Sequence, residues 1–388
     1  MWWEQLEEAL DELETTVEYD GYFYKIQDAI IILIIGTLCE LKNIKRIHEW
    51  AETEHIKKFL KDQFKIKKIP CYWWLLSLAR IIKPESLNQC MKKWVMSVAP
   101  HLIEQIEEEE NKKSKKQKTQ TTIAIDGKEI RSTEKMEKYE NPIHIVSAQI
   151  GELGITLAQE VVEGKSNEIP AAQKLIKSLE IRDCMVVADA LNCQIDTAKA
   201  VLEQKADYLF SAKDNQANLK KDIEEYVQDK KLRSTMDFFK SKNVGHGRIE
   251  TREAYTTDDV SWQPGGREWP GLKCIGAVHT HFKSKKKTTD EWHYYISSRN
   301  LTAEQLLHHA RTEWSVETMH WLLDVHFRED ERRIQDKNAQ TNMNMLRKLT
   351  LNVVRIYKRT TNSKSAMNAI MFQCLMNPAL IPKLFAKN

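Results

Sequence analysis

Residues 121–126 read Thr-Thr-Ile-Ala-Ile-Asp, and residues 185–189 read Met-Val-Val-Ala-Asp. Each is a short apolar run, rich in β-branched residues and closed by an acid. Unbroken apolar runs of this length suit strands buried on both faces. Around them, Pro142 to Ile150 and Gly154 to Val161 are two more strand-type segments, parted by the hairpin-type break Gly151-Glu152-Leu153-Gly154. Ile169 to Leu179 has helical spacing, and a further helix follows Asp189 through Leu202. Tyr208 to Ala212 is another strand, with a helix from Asn215 to Val227 after it. The order β-β-β-α-β-α-β-α predicts an α/β fold, a mixed sheet with helices on its faces.

The two terminal acids occupy equivalent places. Ligands of open α/β sheets gather at the carboxyl ends of strands. A carboxylate there is costly to bury unless it is paired or holds a cation. Asp126 and Asp189 on neighbouring strands would therefore converge on one hard divalent ion. Oxygen donors without Cys or His suit Mg²⁺ or Mn²⁺. The alternative for either acid is that it caps the helix after it. A third acid comes from the stretch Arg311 to Asp324, where Glu313, Glu317 and Asp324 share one helical face at i, i+4 and i+11. Trp314, Trp321 and Val325 share the adjacent apolar face, so the helix can pack by its tryptophans and present Glu317 inward. Spacing alone favours an ordinary solvated acidic face.

Composition narrows the classes further. Hydrophobic residues are 41% and charged residues 30% of the 388, and the mean hydropathy is −0.55. These values exclude collagen-like, mucin-like and mainly disordered chains. The longest apolar run, Ala29 to Gly36, is far short of the roughly 20 residues a spanning helix needs, so it reads as a buried helix and no membrane association is expected. No basic start or small-residue cleavage site opens the chain, which makes the cytoplasm the expected location. Seven scattered cysteines include no CxxC pair and read as reduced thiols. The twelve histidines form no metal spacing. The net charge is +3, but residues 1–20 carry eight acids and no Lys or Arg, leaving the rest at +11. Such a basic body permits a polyanionic partner such as DNA.

Trp3, Leu6, Leu10, Leu13 and Val17 predict an amphipathic helix in the acidic segment. Residues 22–98 look all-helical, with Asn43 as a cap before Ile44, Ile47, Trp50 and Ala51. Glu107 to Glu110, followed by Lys112, Lys113, Lys115, Lys116 and Lys118, reads as an exposed linker. The expected layout is a helical domain over 1–106, a charged linker over 107–120, an α/β domain over 121–235 and 298–360, a β-rich insertion over 236–297, and a tail over 361–388.

These residues carry a resemblance. IAIDGKEIR (123–131), KSNEIP (165–170), VADALNCQ (187–194), ADYLFSAKDNQ (206–216), GHGRIETRE (245–253), WPGL (269–272), YYISS (294–298), RTEWSVETMHWLLDVHFRED (311–330) and NAQTNMNMLRKLTLNVVR (338–355) stand in the order seen in bacterial insertion-sequence DDE transposases of the ISAs type. That group includes the H-repeat-associated proteins, and the resemblance spans roughly residues 20–360. It implies an RNase H-like catalytic domain. It also implies that Asp126 (in D-G-K), Asp189 (in D-A-x-x-x-Q) and Glu317 are the catalytic acids and hold two Mg²⁺ or Mn²⁺ ions.

The implied chemistry is phosphoryl transfer on DNA. Hydrolysis would free the 3′ ends of the element, which would then attack target DNA in line. The implied partners are double-stranded DNA, both terminal inverted repeats and target, and a second copy of the chain on that DNA. The implied setting is the bacterial cytoplasm, at the nucleoid.

Lys128, Arg131, Lys165, Lys213, Asn215, Gln216, His246, Arg248, Arg252 and Arg311 are the expected DNA contacts. Asn167 and Glu168 match the family without an assigned role. Arg328, Glu329 and Asp330 are a further polar group, with helix-end ion pairing as the alternative.

The chain departs from the pattern at Asp214, where Gly is usual, and at Glu313, where His is usual. Cys71-Tyr72-Trp73-Trp74 stands where a small polar residue and Thr-Phe usually follow the proline. Two other readings stay open: a DNA-binding protein derived from a transposase that has lost catalysis, and an RNase H-like nuclease that cuts without joining.

Overall fold

The acidic start folds as α1 (Trp2–Leu10), shorter than its apolar spacing predicts. The β-branched run Thr15-Thr16-Val17 leaves the helix. Thr15 forms an antiparallel bridge with Ile82, and the Thr16 N–H donates to the Ile81 carbonyl at 2.7 Å. The computed structural model describes residues 2–18, 23–113, 120–133, 142–163, 167–245, 248–262, 264–266, 268–284, 288–331 and 334–386.

The remaining N-terminal helices are α2 (Ile26–Leu38), α3 (Ile44–Ala51), α4 (Glu54–Phe64), α5 (Tyr72–Ile81) and α6 (Pro84–Lys113). Strands β1 (Thr122–Ile130), β2 (Ile143–Ile150) and β3 (Ile155–Val161) follow. Then come α7 (Glu168–Lys177), β4 (Met185–Ala188), α8 (Ile195–Glu203), β5 (Asp207–Ala212), α9 (Ala217–Gln228) and α10 (Lys230–Thr235). Strands β6 (Asp237–Gly245), β7 (Arg248–Thr257), β8 (Cys274–Ser284) and β9 (Thr288–Ser297) precede α11 (Ala303–Val325), α12 (Lys337–Thr360), α13 (Met367–Met376) and α14 (Ile381–Leu384).

The strand order is β3-β2-β1-β4-β5-β9-β8-β7-β6. β1, β4 and β5 are parallel neighbours, whereas β2 with β3 and β5 through β9 to β6 pair antiparallel. This is the mixed sheet expected, and its order from β3 to β5 is the RNase H-like arrangement. Residues 236–297 extend that sheet: β9 pairs with β5 from Leu209↔Ser297 to Ala212↔Tyr294. The expected linker begins inside α6, because Glu and Lys are good helix formers; its residues 114–119 lie outside the described residues. Among the described residues, no helix is long and apolar enough to cross a membrane. Among the described residues, no two of the seven cysteines form a disulfide.

Two units divide the chain, and the division passes through β1 after Gly127 and through α11 after Val316. One comprises Gln117–Gly127 and Ser166–Val316; the other comprises Met1–Lys116, Lys128–Lys165 and Glu317–Asn388. The second unit is built on α12, which is buried from Ala339 through Val354. The expected buried helix, α2, packs on it with residues 29–38 all inside. Asn43 caps α3 as expected, accepting from the Arg46 N–H at 2.9 Å.

The polar residues of α12 act as latches. The Asn342 amide donates to the Ala79 and Ile82 carbonyls at 3.0 and 2.9 Å. Lys348 Nζ donates to Ser147 Oγ and Gln159 Oε1, both at 2.7 Å. Asn352 exchanges two bonds of 2.8 Å with the Thr156 backbone.

Glu329 is the hub of the same unit. It is fully buried, and it accepts from Asn344 Nδ2 at 2.8 Å and Arg347 Nη1 at 2.9 Å, with Lys128 Nζ at 3.2 Å. Burial opposes its ionisation, but the Arg347 and Lys128 charges prevail and hold it at about 2. A carboxyl held below its ordinary value adds stability above pH 4.5 that is lost as pH falls toward 2. Arg347→Met should therefore cost about 3–5 kcal/mol at pH 7, since it strands a buried charge. Urea denaturation of both proteins should show that deficit shrinking toward pH 3, as Glu329 of the variant takes up a proton. A deficit that is small, or equal at both pH values, contradicts this account.

Candidate active site

Parallel pairing sets the geometry of the first unit. Thr122↔Met185, Ile123↔Val186, Ala124↔Val187 and Ile125↔Ala188 are in register, and all eight residues are buried. The next residue on each strand is an acid, Asp126 and Asp189. Neighbouring strands lie about 4.8 Å apart, and residues in register face the same side. The two acids thus follow the last β1–β4 pair at the same level. Asp189 lies just past the end of β4, but Asp126 does not end its strand as expected, since β1 runs on to Ile130. Asp126 Oδ1 accepts from the Gly127 N–H at 2.9 Å.

Asp189 also fills the role given as its alternative. Its Oδ1 caps the turn Ala190–Asn192, accepting from the Asn192 N–H at 3.3 Å and from Asn192 Nδ2 at 3.1 Å. Capping the turn and facing the strand end are compatible.

A second carboxylate lies beside it. Glu168 opens α7 and is only 7% exposed. Its Oε1 accepts from the same Asn192 Nδ2 at 3.0 Å. Burial raises the Asp189 carboxyl above the ordinary value and the Glu168 charge adds to that; the Asn192 bonds and the Lys213 charge oppose it. Sequence reasoning quoted Glu168 in the KSNE motif but gave it no role. The signal available was its position at a helix start, where a carboxylate faces the positive end of the dipole.

The loop after β5 borders this cluster. Lys213 and Asn215 are exposed and Gln216 half-buried. Asn215 Nδ2 donates to the Ala190 carbonyl and Gln216 Nε2 to the Cys193 carbonyl at 2.8 Å, so these amides tie the loop to the turn after Asp189. The negative charge of Asp214 is answered by Lys220 at 2.8 Å. In α11, His309 Nδ1 lies 2.9 Å from Thr122 Oγ1, joining the helix to the start of β1. Arg311 is exposed there, and the Glu313 charge is felt by the buried Tyr295 hydroxyl.

Arg252 is buried, with its guanidinium paired with Glu250 and 5.5 Å from the Trp314 ring centroid. Arg248 is exposed at the start of β7. Lys165 and His246 lie outside the described residues.

The other expected residues belong to the second unit. Glu317 is exposed on α11. The tryptophan face of α11 does not pack as expected: Trp321 is 55% exposed and Val325 is exposed too, while Val316, Met319, Leu322 and Leu323 are buried. Lys128 is 11% exposed and faces Asp324, Glu329 and Asp330. Arg131 is exposed, and its backbone N–H donates to Asp330 Oδ1 at 3.1 Å. Ion pairing, the alternative for Arg328, Glu329 and Asp330, is what these side chains do.

The donors at the strand ends are all oxygens, which fits a hard divalent cation. Among the described residues, no three His, Cys, Asp or Glu side chains stand close enough together to hold one.

The strand order is that expected of a transposase-type DDE domain, and the family described as "Transposase DDE domain" matches residues 117–353. The chain belongs to that family. Its relatives include YncI of Escherichia coli O157:H7, which carries a transposase name and is 36% identical over 243 residues, 60% of this chain and 61% of that protein. YhhI of Escherichia coli K12 carries an H repeat-associated transposase name and is 28% identical over 344 residues, 85% of each chain. A cryo-EM structure of the piggyBac transposase synaptic complex with hairpin DNA overlays with a TM-score of 0.43 at 12% identity, covering 98% of this chain and 76% of that one. That overlap is too loose to bear on function.

A carboxyl held above its ordinary value weakens the fold where it must ionise, at neutral pH, and the penalty vanishes once it is protonated. Asp189→Asn keeps an acceptor for Asn192 and removes the charge. It should raise the melting temperature by a few degrees at pH 7, with a smaller gain near pH 3. A lower melting temperature at pH 7 contradicts the charge balance described.

Proposed function

We propose that this chain is a metal-dependent DNA transposase that cuts at the ends of its own element and joins those ends to target DNA. The observation that carries the reading is the Ile125↔Ala188 register, the last parallel pair between β1 and β4, after which the next residue of each chain segment is an acid. In this reading Asp126 and Asp189 hold Mg²⁺ or Mn²⁺ ions together with Glu317. The assignment of Glu317 is supported by its match to the family's glutamate in the stretch 311–330. When bound, a pair of such ions activates a water or a 3′-hydroxyl and offsets charge on the leaving oxygen.

The chain's own residues hold and orient. The buried strand residues before each acid fix its height. Asn192 fixes the Asp189 carboxylate through two donated bonds. Lys213, whose charge already reaches Asp189, stands where a scissile phosphate would approach. Asn215, Gln216, Arg248 and Arg311 are proposed to meet the DNA backbone, with Arg131, Lys165 and His246 as further contacts. Arg252, buried and held by Glu250, and Lys128, held by Asp324, Glu329 and Asp330, are not among them. A substrate with two ends calls for two copies of the chain, each holding one.

The test is one incubation: full-length protein, labelled terminal-repeat DNA, plasmid target and Mg²⁺ or Mn²⁺. Strand joining is the expected product. Cleavage without joining points to a nuclease, and a mobility shift without cutting points to a binder. Alanine at Asp126, Asp189 or Glu317 should reduce cleavage to background while DNA binding persists. Cleavage that survives Asp189→Ala removes that residue from the site. Binding should also weaken with salt, with a logarithmic slope of about −0.9 per phosphate contact.

A further inference from the structure

Asn192 holds two acids with one amide. Its Nδ2 donates to Glu168 Oε1 at 3.0 Å and to Asp189 Oδ1 at 3.1 Å, so both carboxylate oxygens face one small donor. The residue is fully buried, and its Oδ1 is buried without a hydrogen-bond partner. Asn167 caps the start of α7, where Glu168 leaves the backbone, its side chain accepting from the Ile169 N–H at 3.1 Å. The elements that bring these groups together are therefore built.

A purely structural role accounts poorly for the set. A buried carboxylate, Glu168, and a half-buried one, Asp189, that share one donor repel each other, and a neutral pair of similar size would fold at lower cost. A buried amide oxygen with no donor carries its own penalty of about 1–3 kcal/mol. The arrangement presents its amide hydrogens where a cation would balance both acids. A half-turn about the last side-chain bond of Asn192 exchanges its nitrogen for its oxygen. The same position then offers three oxygens, two charged and one neutral, a donor set that suits a hard divalent ion.

We propose that Glu168 is a further metal-holding carboxylate of the site, and that Asn192 turns its Oδ1 onto the ion that Glu168 and Asp189 share. The inference rests on the reading of Asp189 as a metal-binding acid. It gives the KSNE motif a role: Asn167 starts the helix and Glu168 supplies a ligand.

Titration calorimetry of the full chain with Mn²⁺, without DNA, tests it. Glu168→Gln should weaken Mn²⁺ binding by about 10- to 100-fold, while its melting temperature without added metal holds or rises. Asn192→Asp places a charged oxygen where the amide stood. It should tighten Mn²⁺ binding and lower the melting temperature without added metal.

Binding as tight in Glu168→Gln as in the native chain overturns the proposal. So does Asn192→Asp binding no tighter than native, which also decides the matter if the Gln variant fails to fold. Asp189→Asn separates the two levels. If it weakens binding and Glu168→Gln does not, only the role of Glu168 fails; if neither does, the metal reading of Asp189 fails as well.

Discussion

The hydrogen-bonded register between β1 and β4 is the constraint on which the candidate site depends. Ile125 pairs with Ala188, and the chain puts a carboxylate directly after each. The strands before them are fully buried, so neither acid can slide inward or out without breaking the core packing. Two negative charges held at one level at the end of a sheet need an answer. Around Asp189 it comes from the Asn192 N–H groups and the Lys213 charge, while the Glu168 carboxylate at the start of α7 adds to the burden. A divalent cation would answer them more completely than any of these dipoles.

The second unit meets a different problem with buried polarity. α12 carries amides, an ammonium and a guanidinium through its core, and Asn342, Arg347, Lys348 and Asn352 each donate to an acceptor outside the helix. Glu329 accepts from Asn344 and Arg347 of α12 and from Lys128 of β1, and stays ionised although fully buried. This explains why NAQTNMNMLRKLTLNVVR is polar although it is a core helix. Such networks specify one packing, because any shift of register leaves several groups unsatisfied.

Much of the fold was legible because its signals are local. The apolar runs that became β1, β4 and β5, the break between β2 and β3, and the cap at Asn43 all lie within a few residues of their cause. Strand pairing is not local, so the sequence did not reveal that β9, in the segment read as a β-rich insertion, hydrogen-bonds to β5. The end of α1 was missed because apolar spacing continues beyond Leu10 while β-branched residues turn the backbone extended. Trp321 was read as core from periodicity, but the buried stripe of α11 runs one position over, through Val316, Met319 and Leu323. At the site, Asp126 was read as a strand-end acid, but β1 runs on past it to Ile130, because the edge next to β4 ends while the strand itself does not. Asp189 was readable as a strand-end acid. Glu168 was not, since its nearness to Asp189 is made by Asn192, 24 residues away in sequence.

The central claim is that Asp126, Asp189 and Glu317 hold the same cations. Iron-directed cleavage tests it most directly: Fe²⁺ loaded in place of Mg²⁺, with ascorbate and peroxide, cuts the backbone next to its ligands, and mass spectrometry maps the cuts. The account predicts cuts around residues 126, 189 and 317 together, all suppressed by excess Mg²⁺. Cuts at the first two segments that leave the third intact, or cuts at none of them, would contradict it.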